Sequence, residues 1–147
     1  MPLGRLYSYL LVFLQFLFIF LLLIYAIPGN FTFFPITLVN LSILLSIWAL
    51  YWMRKSKLRI TPEVAVGAKL VKKGPYRLIR HPMYTSVLLF CLGLLWTNAY
   101  STTLVFYALL FFDLCLKIRR EEKLLRNAFP DYKQYAKKTR RLIPLIF

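Results

Sequence analysis

The feature that most limits what this chain can fold into is residues 6–27, an uninterrupted run of 22 residues without a single charge. As a helix rising 1.5 Å per residue, that run crosses a hydrocarbon core of about 30 Å. A cleaved signal peptide is the rival reading. The run is longer than a typical signal core, however, and Ala26-Ile27-Pro28-Gly29 is a poor small-residue cleavage site. Pro28-Gly29-Asn30 ends the helix, and a second uncharged run covers 36–53, with Trp48, Tyr51 and Trp52 as interfacial anchors near its end. Shorter apolar runs at 82–96 and 102–116 flank a turn at 97–101 and predict a tight hairpin. Hydrophobic residues make up 60% of the 147, more than a soluble domain of this size can hide. The expected fold is an all-α integral membrane protein, a single domain of four transmembrane helices.

Charge orients the helices. The net charge of +15 could suit a nucleic-acid binder, but 19 of the 20 Lys and Arg fall in two segments, 54–80 and 117–141, each bordering an apolar run. That placement fits anionic lipid and topology, and excludes nucleic acid as the expected partner. Arg5, the loop 54–81 and the segment 117–147 therefore belong on the cytoplasmic side, with both termini inside. Beyond Leu116 no helix breaker occurs before Pro130, so the fourth helix is expected to extend into the cytoplasm, followed by a basic, aromatic tail that packs back on the membrane face. Cys91 and Cys115 lie within apolar runs without metal-ligand spacing, and no metal site is expected.

The polar chemistry concentrates in residues 74–86, which hold the only histidine. Pro82 suits the first turn of the third helix and puts His81 at its cap. The unpaired amides of that helix start, with Arg77 and Arg80, form a candidate half-site for a carboxylate or phosphate. Glu121 and Glu122 are neighbours and so about 100° apart on the fourth helix. Glu121 shares a stripe with Asp113 and Lys117, where an i,i+4 pair with the lysine is expected. Glu122 shares one with Leu114, Ile118, Leu125 and Phe129, and is the better candidate for a buried carboxylate that binds a cation. Simpler readings stand beside these: a solvated Arg-Arg-Glu-Glu face, a capping or interfacial histidine, and Tyr76 and Tyr84 as membrane-border aromatics.

Taken in order, Gly74-Pro75-Tyr76-Arg77, Arg80-His81-Pro82-Met83-Tyr84, Glu121-Glu122 with Leu125, then Tyr132, Tyr135 and Arg141-Leu142-Ile143-Pro144 resemble the integral-membrane methyltransferases of the isoprenylcysteine carboxyl methyltransferase and phospholipid methyltransferase superfamily. The resemblance covers about 70–144 and leaves the first two helices without a signature. It implies a transferase of the EC 2.1.1 class that uses S-adenosylmethionine, held by Tyr76, Arg80, His81, Pro82, Tyr84, Glu121 and Glu122 at the cytoplasmic face. Glu122 and Arg141 are the expected catalytic residues, and Arg140, Arg141 and Tyr135 the expected docking group for the acceptor. Ser86 stands where many members of the superfamily have glycine.

Many arginines and few acids favour a lipid-tailed carboxylate acceptor, as in isoprenylcysteine carboxyl O-methylation. Phospholipid amine N-methylation and thiol S-methylation of a small hydrophobic acceptor remain open. From other classes, the size suits a small four-helix transporter or lipid-binding protein, but transporters usually carry a buried charge in an early helix and the first two runs have none. A sterol-type reductase would be expected to lack the paired glutamates. The expected location is the prokaryotic plasma membrane, or the endoplasmic reticulum in a eukaryote.

Overall fold

The computed structural model describes residues 2–26, 32–54, 56, 67, 69–98 and 100–144. Among them the chain is helical, with no strand and one isolated parallel bridge. The elements are α1 (Pro2–Ala26), α2 (Phe33–Met53), a 3₁₀ turn (Gly74–Arg77), α3 (Pro82–Thr97), α4 (Ser101–Ala128) and α5 (Tyr132–Lys138). The expected break at Pro28-Gly29-Asn30, most of the basic loop with Glu63, and the apolar end 145–147 lie outside the described residues.

Three helices, α1, α2 and α4, are long and apolar enough to cross a membrane, and α3 is a shorter apolar helix. α1 begins before the apolar run because Arg120 reaches it from α4: Nη2 donates to Gly4 O at 2.5 Å and Nε to Ser8 Oγ at 2.6 Å. α2 takes in Pro35, which a first turn tolerates. The apolar run 102–116 looked short for a span, yet α4 has 28 residues, because the charged segment after Leu116 contains no Gly or Pro and prolongs the same helix. It stops at Phe129, which the following Pro130 holds in an extended conformation (φ −126°, ψ 111°).

α2 packs chiefly against α3, and α1 against α4. Gly93 permits the closest part of the first contact, since a Cβ there would lie 3.0 Å from Val39 Cγ2 and 3.1 Å from the Pro35 carbonyl oxygen. The turn before α4 is tied to the end of α1, where Asn98 Nδ2 donates to Tyr25 O at 2.8 Å and Thr97 Oγ1 to Ala26 O at 3.4 Å. These side chains serve carbonyls that the helix end leaves unpaired. The core joins Leu22 and Ala26 of α1, Leu88, Cys91 and Leu94 of α3, and Leu110, Leu114 and Ile118 of α4 with Leu142 of the tail. The outer faces of α1 and α2 expose Phe13, Phe16, Phe20, Leu44 and Ile47. Large apolar faces of this kind are stable against lipid and not against water.

Two short elements position the polar end. Gly74 has φ +61°, and a Cβ there would fall 2.1 Å from Trp52 Cδ1. The position therefore needs glycine on both counts. Trp52, an expected interfacial anchor, is half-buried under this turn. α5 then brings the tail back: Arg80 N donates to Arg140 O (2.7 Å), His81 N to Arg141 O (3.0 Å) and Arg140 N to Leu78 O (3.2 Å). Tyr135 Oη donates to Tyr76 O at 2.7 Å, and Thr85 Oγ1 to Leu142 O at 2.8 Å.

Candidate active site

The site grows from the start of α3. Pro82 fixes the first turn and leaves His81 at the cap, buried and stacked on Tyr84 with ring centroids 5.5 Å apart and planes 16° apart. One turn of α4 faces this pair. His81 Nδ1 lies 3.5 Å from Glu121 Oε2, and Nε2 lies 3.5 Å from Glu122 Oε1. Tyr84 Oη donates to Glu121 Oε2 at 3.0 Å. Burial by itself would lower the His81 pKa. The carboxylates of Glu121 and then Glu122 outweigh that effect and hold it above the ordinary 6.5.

The two glutamates have different surroundings. Glu122, its side chain 2% exposed, accepts from Arg80 Nε at 2.7 Å, Arg126 Nη2 at 3.3 Å and Arg141 Nη2 at 3.4 Å. Arg80 also donates to Ala136 O at 3.0 Å and to the Thr139 carbonyl. Glu122 thus joins α3, α4, α5 and the tail. Glu121 is more open, at 22% side-chain exposure, and lines a cavity of about 220 Å³. Around it stand Gln15 and Phe16 of α1, Met53 of α2, Tyr76, Arg80, His81, Met83, Tyr84 and Val87 around the start of α3, and Lys117 of α4.

The structure brings together Tyr76, Arg80, His81, Tyr84, Glu121 and Glu122. Of these, Glu122 faces its cations and not the cavity. Pro82 is buried at the helix start and shapes the turn. The expected set of free amides is largely used, because Tyr84 N and Thr85 N donate to His81 O at 3.0 and 3.1 Å. Arg77 is exposed and lines a separate surface groove with Lys72, Gln134, Tyr135, Lys138 and Thr139. Of the expected docking group, Arg141 is turned onto Glu122, Tyr135 lies in that other groove, and Arg140 is exposed with its backbone bridging Ile79. Ser86 is buried and donates to Met83 O at 2.7 Å, within its own helix.

Sequence reasoning missed the role of Lys117 and Gln15. The expected Lys117 pair with Asp113 or Glu121 does not form as an ion pair. Lys117 Nζ donates instead to Gln15 Oε1, across from α1. The one available signal was Gln15 itself, a strongly polar side chain in the middle of an apolar run.

Apolar helices suited to lipid, enclosing at one end a buried histidine, paired glutamates and arginines beside a largely apolar cavity, define an integral membrane protein. The model of the Isoprenylcysteine carboxyl methyltransferase (ICMT) family matches residues 35–127, and the chain belongs to that family. It is similar to the cobalt-zinc-cadmium resistance protein CzcN of Cupriavidus metallidurans, 39% identical over 79 residues, covering 51% of this chain and 35% of that protein. It is also similar to the uncharacterized protein YpbQ of Bacillus subtilis, 37% identical over 86 residues, covering 54% of this chain and 48% of that protein. The match thus spans about a third to a half of the length of these relatives.

Proposed function

We propose that the protein is an S-adenosylmethionine-dependent methyltransferase acting at the cytoplasmic face of the membrane on a lipid-tailed acceptor, with a carboxylate as the favoured methyl-accepting group. Glu121 carries this reading: a carboxylate fixed by His81 and Tyr84 at the wall of a cavity whose other sides are largely apolar or aromatic. A carboxylate in that position suits a cationic ligand. Two further features support the reading. Tyr76 lines the cavity, and its buried hydroxyl has no partner among the described residues. Burial first and Glu121 second raise its pKa, so it stays a neutral donor. The apolar and aromatic walls of the cavity suit the adenosine.

When bound, the sulfonium supplies an activated methyl group, transferred in line to a nucleophile. The protein's part is alignment and the exclusion of water. In this reading Glu121 and His81 hold the amino-acid end of the cofactor and the apolar walls of the cavity cover the adenosine. Glu122 is a positioning residue that keeps Arg80 and Arg141, and through them the tail, closed over the site. Four helices cross the membrane, α3 included, with both ends on the site's side. The test is transfer: purified protein in nanodiscs is incubated with methyl-labelled cofactor and either membrane lipid extract or prenyl-cysteine analogues. Label in a base-labile ester of the prenyl-cysteine supports the proposal. Label confined to a water-soluble product would contradict it.

A further inference from the structure

The cavity has a cation at its membrane end that the reading above leaves unused. Lys117 is 1% exposed, one helical turn further into the apolar part of α4 than Glu121. Its ammonium donates to Gln15 Oε1 and lies 5.3 Å from the Tyr84 ring centroid. No carboxylate makes an ion pair with it among the described residues. An ammonium has three donors, of which the described partners take up only the one to Gln15; the Asp113 and Glu121 carboxylates, one turn away on either side along α4, act on it through space without closing an ion pair. The walls of the cavity it lines include Phe16, Met53, Met83 and Val87. A buried cation facing a space with apolar walls is the counterpart of an anionic head on an apolar tail.

We propose that Lys117, seated on Gln15, binds the reacting head of the methyl acceptor and selects for an anionic one, a carboxylate or a thiolate. This assignment rests on the methyltransferase reading and moves acceptor docking from Arg140, Arg141 and Tyr135 to α1 and α4. Glu121 and Lys117 lie four residues apart on one face of α4, so a cationic donor and an anionic acceptor would meet along a single helical turn. In the transfer, a lone pair of the acceptor oxygen or sulfur forms the new bond to the methyl carbon. The methyl–sulfonium bond breaks, and its electron pair stays on sulfur as a neutral thioether. No proton has to leave. Both products are less charged than the reactants, so the attraction of Lys117 for the acceptor and of Glu121 for the sulfonium disappears with the reaction and favours release. An ammonium head would meet Lys117 as a like charge.

The test is equilibrium binding in nanodiscs of medium-chain alkyl carboxylate, thiol and amine probes to wild type, Lys117→Met, Lys117→Arg and Gln15→Leu, with cofactor affinity measured in parallel. Methionine keeps the volume and removes the charge, and thermal unfolding in detergent establishes that each variant is folded before its binding is read. The expected result is carboxylate or thiolate binding weakened on the order of tenfold or more in Lys117→Met, a smaller loss in Gln15→Leu, retention in Lys117→Arg and no weakening for the amine. The carboxylate and thiol arms show which anion is preferred. Unchanged anion affinity in a folded Lys117→Met protein would overturn the assignment, as would an equal loss for all three probes. Failure of wild type to bind the cofactor would instead defeat the methyltransferase reading and leave the anion-binding result to be judged by itself.

Discussion

At the scale of single residues, the two adjacent glutamates are predicted to fail in different ways. Glu122 is met by Arg80, Arg126, Arg141 and His81, and Glu122→Gln leaves the two enclosed ones, Arg80 and His81, short of a counter-charge. Breaking such a pair costs on the order of 3 kcal/mol, read as a fall in thermal or denaturant stability in detergent. Glu121→Gln, at a more open position, should leave stability close to wild type and appear in cofactor affinity. Equal destabilisation by both would contradict the division. His81 gives a pH signature. Its pKa is raised above 6.5 in the folded protein, against the effect of burial, by the carboxylates of Glu121 and Glu122, each 3.5 Å from a ring nitrogen. A pKa raised on folding means stabilisation fully present below the unfolded value of 6.5 and lost as pH rises through the folded value. Wild type should therefore lose melting temperature on going from pH 6.5 to alkaline pH, and His81→Gln should give a flatter profile; parallel profiles would show that another group titrates. The 100° offset of the glutamates and the burial of Glu122 were legible in the sequence. That Glu122 meets three arginines while Glu121 lines the cavity was not. It depends on the tail returning to lay Arg141 beside α4, a contact between residues far apart in the chain.

At the scale of elements, apolar runs and breakers located the four apolar helices to within a few residues, since hydrophobic length and Gly or Pro punctuation are local properties. The 3₁₀ turn and α5 were invisible for the opposite reason. Both are short, polar and without apolar periodicity, and they are held by distant partners: Tyr135 on the Tyr76 carbonyl and the bridge between Ile79 and Arg140. Two glycines test how the elements fit. Gly74→Ala would put a Cβ into the Trp52 indole at a residue with φ +61°, and should lower stability by at least the 1–2 kcal/mol of a left-handed backbone. Gly93→Val would drive side-chain atoms into the Pro35 carbonyl and Val39, with an expected loss of about 1–3 kcal/mol and a displacement of α2 from α3. Both are checked by unfolding in detergent. A Gly93→Val protein as stable as wild type would mean that the α2–α3 contact yields easily.

At the scale of the whole molecule, the helices form a frame open to lipid on its outside and polar at one end, where α3, α4, α5 and the tail converge. In the proposed arrangement that end and both termini share the cytoplasmic side, and the turn before α4 lies opposite. Single cysteines at Ser101 and Lys138, both exposed, should then label from opposite sides of sealed vesicles; labelling from one side would require α4 not to cross. The central claim, that the cluster at the start of α3 and on α4 holds S-adenosylmethionine, is tested most directly by equilibrium binding of the labelled cofactor to nanodisc-embedded protein. The account predicts saturable binding to wild type, competed by S-adenosylhomocysteine and weakened tenfold or more in Glu121→Gln and His81→Ala at unchanged fold. Wild-type affinity in both folded variants, or no saturable binding to wild type, would contradict it.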